Sequence, residues 1–373
     1  MKIIFICSSL EHGRDGVGDY TIKLASELIR QGHSAAAIAL NDKFISQDFK
    51  DIQRFDNIDL SVLRLPSAWS ITKRNNYAKS YISDFDPDIL SLQFVIFGYH
   101  SKGLPFGIAK QLLFIGNGRP WQIMFHELWI GITSKSPVKH KIYGFFQKRI
   151  IKSIIATLKP EVINTSNGLH HILLNNVGIN SIILPLFSNI PIAPLEPDFL
   201  KGTANKLGFN VEDSCQYVII GIFGNLHPQA KLDNVINEEL DLAKGDNKSL
   251  VFISVGRIGD EGLRELERLT KAFEGLVKFF QFGEQSEKNV SMLFQVMNKG
   301  ISCTPVEHMG KSGVYAAMRH HGLRVMTPVS DYIPEYDTEI KEYNKQLLER
   351  EDDEWSVNHV AKSFLDLIRQ KKC

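Results

Sequence analysis

The sequence predicts an α/β protein built as two doubly wound parallel-sheet lobes, and three observations carry that prediction. Short apolar runs bounded by turn signals alternate with segments of helical period along the chain, the pattern of strands covered on both faces by crossing helices. The chain has 373 residues, too many for one ordinary core and suited to two domains of about 150 to 200 residues each. The alternation is interrupted at Ile190-Pro191-Ile192-Ala193-Pro194-Leu195-Glu196-Pro197, where three prolines mark a linker. The expected domains are 1–192, joined by a C-terminal helix over 354–371, and 215–350. Two lobes predict a cleft that can hold a ligand.

In the first lobe the strands expected are Ile3 to Cys7, Ser34 to Leu40, Leu60 to Leu65, Ile89 to Val95, Trp121 to His126, Val162 to Thr165 and Ser181 to Leu186. Between the first two, an amphipathic helix runs from Tyr20 to Gln31 and is closed by Gly32-His33. The second lobe offers Tyr217 to Phe223, Ser249 to Val255, Val277 to Phe282, Ile301 to Val306 and Arg324 to Thr327. Within Trp355 to Gln370, Val357, Val360, Ala361, Phe364, Leu365, Leu367 and Ile368 recur at helical spacing, so a last helix must bury its stripe against something.

Composition excludes several classes of function. With 43% hydrophobic and 23% charged residues and a net charge of +1, the chain is neither disordered nor a nucleic-acid coat, and no nucleic-acid partner is expected. No apolar run is long enough to span a bilayer. Glu11, Arg14 and Asp15 interrupt the N-terminal apolar run too early for a signal peptide, so the expected location is the cytoplasm. Cys7, Cys215, Cys303 and Cys373 lack any CxxC spacing, which argues against zinc and against a disulfide framework. His170-His171 and His320-His321 are sequence neighbours on helices and point apart, so no metal site is expected.

Charge is divided unevenly. Up to Leu195 there are 21 Lys and Arg against 14 Asp and Glu, an excess of 7, and the remainder carries 22 against 28, a deficit of 6. The basic part includes Lys139, Lys141, Lys148, Arg149 and Lys152 on one helix beside Ile142, Tyr143, Phe145 and Phe146. The plainer reading turns that apolar stripe toward its own sheet. The other brings stripe and charge to an anionic or membrane surface, a peripheral contact at the inner membrane face.

Chemistry is expected where strands run into glycine-bounded loops. Ile301 to Val306 leads into Gly310-Lys311-Ser312-Gly313, which opens a helix ending at Gly322. Free N–H groups of a first helical turn and the positive end of its dipole favour an anion. Lys311 adds a full charge, and Ser312 can cap the helix or bond a phosphate oxygen. The loop is not a Walker A, because the first glycine of GxxxxGK[ST] is missing. A second loop, His12-Gly13-Arg14-Asp15-Gly16-Val17-Gly18-Asp19, follows the first strand, and Gly16, Val17 and Gly18 would let an acceptor or a diphosphate approach the backbone at the mouth of the sheet. Its spacing misses the dinucleotide fingerprint, and no acidic residue closes the next strand before Asp42 in the following loop. Asp19 can orient an acceptor hydroxyl or cap the helix that begins at Tyr20. The strand Trp121 to Phe125 delivers His126-Glu127 to the same edge.

Gly16-Val17-Gly18-Asp19-Tyr20-Thr21, then Phe223-Gly224-Asn225-Leu226-His227-Pro228, then Gly310 to Met318 with Gly322-Leu323-Arg324-Val325, resemble a bacterial family 4 type glycosyltransferase of the GT-B fold. The resemblance covers nearly the whole chain in the family's order. It implies two Rossmann-like lobes facing across a cleft, with the acceptor held by the first, a nucleoside-diphosphate sugar held by the second, and a final helix crossing back to the first. It further implies hexosyl transfer with retention, without a metal or other cofactor, in glycan or glycoconjugate biosynthesis, to a glycan, lipid-linked or small-molecule acceptor.

Residue by residue, the resemblance places His126 against the reacting end of the donor sugar. Glu307 matches the first carboxylate of the family's donor loop, whereas the second falls on Tyr315. The basic pair that faces the diphosphate falls on Asn225 and Ala230, with Lys231 displaced by one, so Lys231, Arg257 and Lys311 are substitutes. Gly224 lies beside Asn225, and Gly283-Glu284-Gln285 stands where the family's loop meets the base. His126, Asp19 and Glu307 are thus the catalytic candidates. Charge growing on the leaving diphosphate would be met by Lys311 and the helix start at Ser312-Gly313 while an acceptor hydroxyl attacks the anomeric carbon. Two other functions stay open. One is a catalytically inactive GT-B subunit that binds and activates a partner transferase, favoured by the missing second carboxylate; the other is a nucleotide-sugar epimerase of the same architecture.

Overall fold

The computed structural model describes residues 1–226, 230–328 and 336–370, so Cys373 and the motif residues His227 and Pro228 lie outside the described residues. The chain divides into two units, Met1–Pro185 with the C-terminal stretch from Val357, and Leu186–Ser356.

The first unit opens with β1 (Lys2–Cys7), α1 (Gly16–Arg30), β2 (Ser34–Asp42), β3 (Phe49–Phe55), β4 (Ile58–Pro66) and α2 (Ile71–Phe85). It continues with β5 (Ile89–Phe94), α3 (Ile96–Tyr99), α4 (Ile108–Gly116), β6 (Trp121–Phe125), α5 (Val138–Leu158), β7 (Val162–Thr165), α6 (Gly168–Asn175) and β8 (Ile182–Ile183). Its sheet has the order β3-β4-β2-β1-β5-β6-β7-β8. The pairs are parallel except β3 with β4.

Three local readings are corrected here. The edge hairpin of β3 and β4 is absent from the sequence prediction because β3, with Lys50, Asp51 and Arg54 exposed, has no buried face to produce an alternating signal. Its marker is the turn Asp56-Asn57, where both residues take positive φ, 48° and 63°, the geometry of a tight hairpin. Helix α1 starts at Gly16 rather than Tyr20, because Asp15 caps it by accepting from the N–H groups of Val17 and Gly18. Asp42 ends β2 instead of following it, and its buried carboxylate is taken up by Arg64 Nε (2.8 Å), Ser9 Oγ (3.2 Å) and the N–H of Phe44 (3.0 Å). A carboxylate so occupied clamps the loop after β1.

The second unit contains α7 (Pro197–Lys206), β9 (Tyr217–Phe223), α8 (Leu232–Gly245), β10 (Ser249–Val255), α9 (Asp260–Ala272), β11 (Val277–Gly283) and α10 (Glu287–Val296). After these come β12 (Lys299–Ile301), a 3-10 turn (Val306–Lys311), α11 (Gly313–His320), β13 (Arg324–Met326) and α12 (Asp337–Leu348). Its five strands are all parallel, in the order β11-β10-β9-β12-β13. Strand β12 stops at Ile301, not Val306. Pro305 has no N–H for a ladder, and its φ of −54° starts the 3-10 turn instead.

The last helix, α13 (Val357–Gln370), belongs to the first unit. Its stripe of Val360, Ala361, Phe364, Leu365 and Ile368 is buried, with the Phe364 ring 5.7 Å from that of Phe5 on β1. Burying one such side chain is worth about 1.5–3 kcal/mol. The Nδ2 of Asn358 also donates to Glu27 on α1 at 2.8 Å, fixing the helix along that neighbour.

Candidate functional site

In the second unit the strand order reverses between β9 and β12, and the crevice at the carboxyl ends of those strands is where an open α/β sheet takes a ligand. A pocket of about 500 Å³ opens there, lined by Phe223 and Asn225 after β9, Ala230, the stretch Ser302 to Pro305 after β12, His308, Lys311, Val314 and Pro328. Another depression, of about 490 Å³, lies between α9 and the edge strand β11, around Leu266, Thr270 and Phe279. It is away from the switch point.

The walls of the first pocket follow from local rules. Gly224 turns the chain out of β9 at φ +79°, with its N–H donating to Val255 O at 2.8 Å. Behind it, a Cβ on Gly256 would come 3.2 Å from Gly224 N, so the two loops lie backbone to backbone. Across the pocket, Ser312 caps α11 by accepting from the N–H of Tyr315 at 3.2 Å, and Thr304 Oγ1 donates to the same hydroxyl at 2.8 Å. The cap leaves the N–H groups of Gly313 and Val314 without a partner among the described residues.

Lys311, half-buried on the pocket wall, forms no ion pair or hydrogen bond with a described residue. His308 stands beside it. Burial first, and the charge of Lys311 second, hold its pKa down at about 4, so the ring is neutral near pH 7. Sequence reading passed over His308 because one His on a short turn has no pattern around it. Its only signal was its place three residues before Lys311.

Other expected donor residues are placed differently. Arg257 and Glu284 face each other in a two-pronged pair at 2.6 and 2.9 Å, 80% and 63% exposed, and neither lines the pocket. The hydrogen bonds to Arg257 pull Glu284 below its ordinary range. Gly283 ends β11 beside them. Lys231 takes φ +45° at the start of α8, and neighbouring Ala230 contributes to the wall. Gly310 and Glu307 are buried in the 3-10 turn, where burial pushes the Glu307 carboxyl up. Tyr315, at the position of the family's second carboxylate, is fully buried with its ring 5.5 Å from Trp355. No carboxylate reaches the pocket from that position.

In the first unit, Gly16, Val17 and Gly18 form the first turn of α1 rather than a loop, and two of their N–H groups already serve Asp15. Gly18 is required by close approach, since a Cβ there would lie 2.7 Å from Ser9 O. Asp19 does not cap the helix. Its carboxylate accepts from His12 Nδ1 at 2.9 Å and from the N–H of Gly13 at 3.1 Å, tying down the preceding loop. His126, just past β6, is buried, with its Nε2 2.9 Å from Gln93 Oε1 and its ring edge-on to Tyr20 at 5.0 Å.

No protein-family model matches the chain, and no curated protein matches it. Solved structures do. The chain is similar to a glycosyltransferase from Rickettsia africae ESF-5 at a TM-score of 0.60 and 13% identity, over 100% of this chain and 98% of that one. It is similar to an α,α-trehalose-phosphate synthase (UDP-forming) from Burkholderia vietnamiensis at 0.53 and 11%, over 99% and 97%. A UDP-GlcNAc 2-epimerase from Neisseria meningitidis, bound to UDP-GlcNAc, gives 0.50 and 11% over 99% and 100%. Likeness at these identities speaks for the fold, which is of the GT-B class with two Rossmann-like parallel-sheet domains.

Proposed function

We propose that the protein is a glycosyltransferase that moves a sugar from a nucleoside-diphosphate sugar to an acceptor hydroxyl, with the donor in the second unit and the acceptor on the first. The observation that carries this is the switch-point pocket, where Lys311 and the N–H groups of Gly313 and Val314 are uncommitted among the described residues. A diphosphate supplies the charge and the acceptor oxygens that such a wall lacks. In this reading the same groups stabilise the leaving diphosphate as its charge grows. The family 4 resemblance adds hexosyl transfer with retention, no metal or other cofactor, and the role of His126 at the sugar. Thermal unfolding with UDP, GDP, ADP and TDP tests it: a ligand at a hundred times its Kd should stabilise by about 2.7 kcal/mol. No shift with any of them would remove the donor site from this pocket.

The burial of Tyr315 favours a second reading, the inactive subunit that activates a partner transferase, because no carboxylate stands at that place. The likeness to the Neisseria epimerase supports a third, an epimerase. Acceptor-dependent release of nucleoside diphosphate from a nucleotide-sugar marks the transferase. Conversion of the sugar without an acceptor marks the epimerase, and neither activity marks the subunit.

The reading includes peripheral contact with an anionic membrane through α5. Only part of that helix faces inward: Gly144, Gln147, Ile150, Ile151, Ile154 and Leu158 are buried. Val138, Ile142 and Phe145 are 73%, 51% and 51% exposed, and Phe106 meets Phe146 edge-on at 6.2 Å beside them. The helix carries five Lys and Arg and no acidic residue. A second copy docked by the same face would set like charges together, whereas each Lys or Arg near an anionic lipid surface gains about 1 kcal/mol. Sedimentation should show binding to phosphatidylglycerol vesicles that weakens with salt and with Phe145→Ser, and little binding to phosphatidylcholine. Equal, salt-independent recovery with both lipids would exclude the contact.

A further inference from the structure

The strand order of the first sheet reverses between β1 and β5, so a ligand of that unit is expected at the carboxyl ends of those strands. Two arginines stand near that edge and are treated differently. Arg64, near the end of β4, meets two carboxylates, Asp42 at 2.8 Å and Glu11 at 2.5 Å. Arg74, in the first turn of α2, is half-buried and forms no ion pair with a described residue.

Arg74 is nonetheless held in place. Its Nη1 donates to Leu40 O and to Asn41 Oδ1, both at 2.6 Å. Asn41 donates in turn from Nδ2 to Gly98 O at 2.9 Å and from its backbone N–H to Ser8 O at 3.0 Å, which ties the guanidinium to the ends of β1 and β2 and to α3 after β5. Pinning α2 accounts for Nη1 alone. Nε is buried without an acceptor, and so is the hydroxyl of Tyr99, the neighbour of Gly98, whose ring stacks on Phe94 at 5.6 Å. Burial first, then the charges of Cys7 and Asp15, raise the Tyr99 pKa well above the ordinary range, with Arg74 close enough to oppose them. The phenol therefore keeps its proton and can donate it. Asp15 itself is occupied by the N–H groups of Val17 and Gly18.

A guanidinium half out of water with no counter-charge, beside two buried donors left empty, is a costly arrangement for a helix pin alone. One oxyanion would supply both the charge and the accepting oxygens. We propose that Arg74 and Tyr99 bind an oxyanion at the switch point of the first sheet, the phosphate or carboxylate group of an anionic acceptor. The excess of 7 basic residues up to Leu195 favours the same partner. The acceptor half of the proposal rests on the glycosyltransferase reading; the oxyanion site does not.

The test is calorimetric titration of the Lys311→Met protein, in which the charge at α11 no longer competes, with sodium phosphate and separately with sodium acetate at fixed ionic strength. At least one of the two anions should bind, and whichever binds tighter names the group on the acceptor. Adding Arg74→Gln should weaken that binding about ten- to a hundredfold, the effect of one charge-assisted hydrogen bond. Adding Tyr99→Phe instead, which keeps both bonds from Arg74 to β2, should weaken it about two- to tenfold. Binding of neither anion, or unchanged affinity in either variant, would overturn the proposal, and Tyr99→Phe decides even where Arg74→Gln folds poorly. Titration of wild type with nucleoside diphosphates reads the transferase separately. Oxyanion binding without nucleotide binding would keep the site and take away its role for an acceptor, whereas nucleotide binding without oxyanion binding would overturn the proposal and leave the transferase standing.

Discussion

At α11 in the second unit the helix cap is the neutral hydroxyl of Ser312, with Lys311 before it and two N–H groups left over. At α1 in the first unit the cap is the carboxylate of Asp15, which accepts from the N–H groups of both Val17 and Gly18, and Asp19 adds a second carboxylate within the first turn. Both starts follow a parallel strand and both are rich in glycine, so a pattern reader treats them alike. Their electrostatics are opposite. A helix start attracts an anion only while its N–H groups are unfilled and its cap is uncharged, and α1 has already bound an anion of its own.

The sharpest way to break this comparison is to give α11 the cap of α1. Aspartate caps a helix as well as serine does, so Ser312→Asp should leave the melting temperature near wild type. Two like charges 4 Å apart at an effective dielectric of 20 repel by roughly 4 kcal/mol, so nucleotide affinity should fall about a hundredfold or more. Calorimetric titration showing normal affinity in the folded variant would move the anion away from α11. A smaller loss, about 1.5–3 kcal/mol, is expected for Lys311→Met, the worth of one charge-assisted hydrogen bond. If that variant binds nucleotide normally, Lys231 or Arg257 holds the diphosphate instead.

The converse change belongs to the first unit. Asp15→Ala should cost about 0.5–2 kcal/mol of stability, as the loss of a cap does, and should leave nucleotide affinity unaltered. Altered affinity at constant stability would give α1 a part in donor binding. A last effect is a pH dependence at His308. Its folded pKa of about 4 lies below the ordinary 6.5, so the unfolded chain binds the extra proton. The stability this provides is present above about pH 6.5 and is lost as the pH falls toward about 4, with a slope below about 1.4 kcal/mol per pH unit. Denaturant midpoints of wild type and His308→Gln across that range should converge toward acid pH, and parallel curves would mean that the ring is not held neutral.

Much of the fold was legible in residue order alone. Strands such as Tyr217 to Phe223 and Ser249 to Val255 are continuous apolar runs because both faces are covered, and burial of that kind writes itself into composition. The helix start proposed to face an anion at α11 was legible for a related reason, since Gly310-Lys311-Ser312-Gly313 places charge, cap and helix start within four consecutive residues. What the order of residues could not show are relations between residues far apart in it. Edge strand β3 has no buried face, so only its turn betrays it. Arg257 and Glu284 are 27 positions apart and spend their charges on each other. On α5, Ile142, Phe145 and Phe146, which the plainer reading turned inward, lie exposed, because helical period fixes which residues share a face but not what that face meets. Polar residues scattered over β5, β6 and β7 read as exceptions in an apolar pattern. Strand register alone turns them into one chain ending at His126, since a hydrogen bond is decided by distance and direction across the sheet.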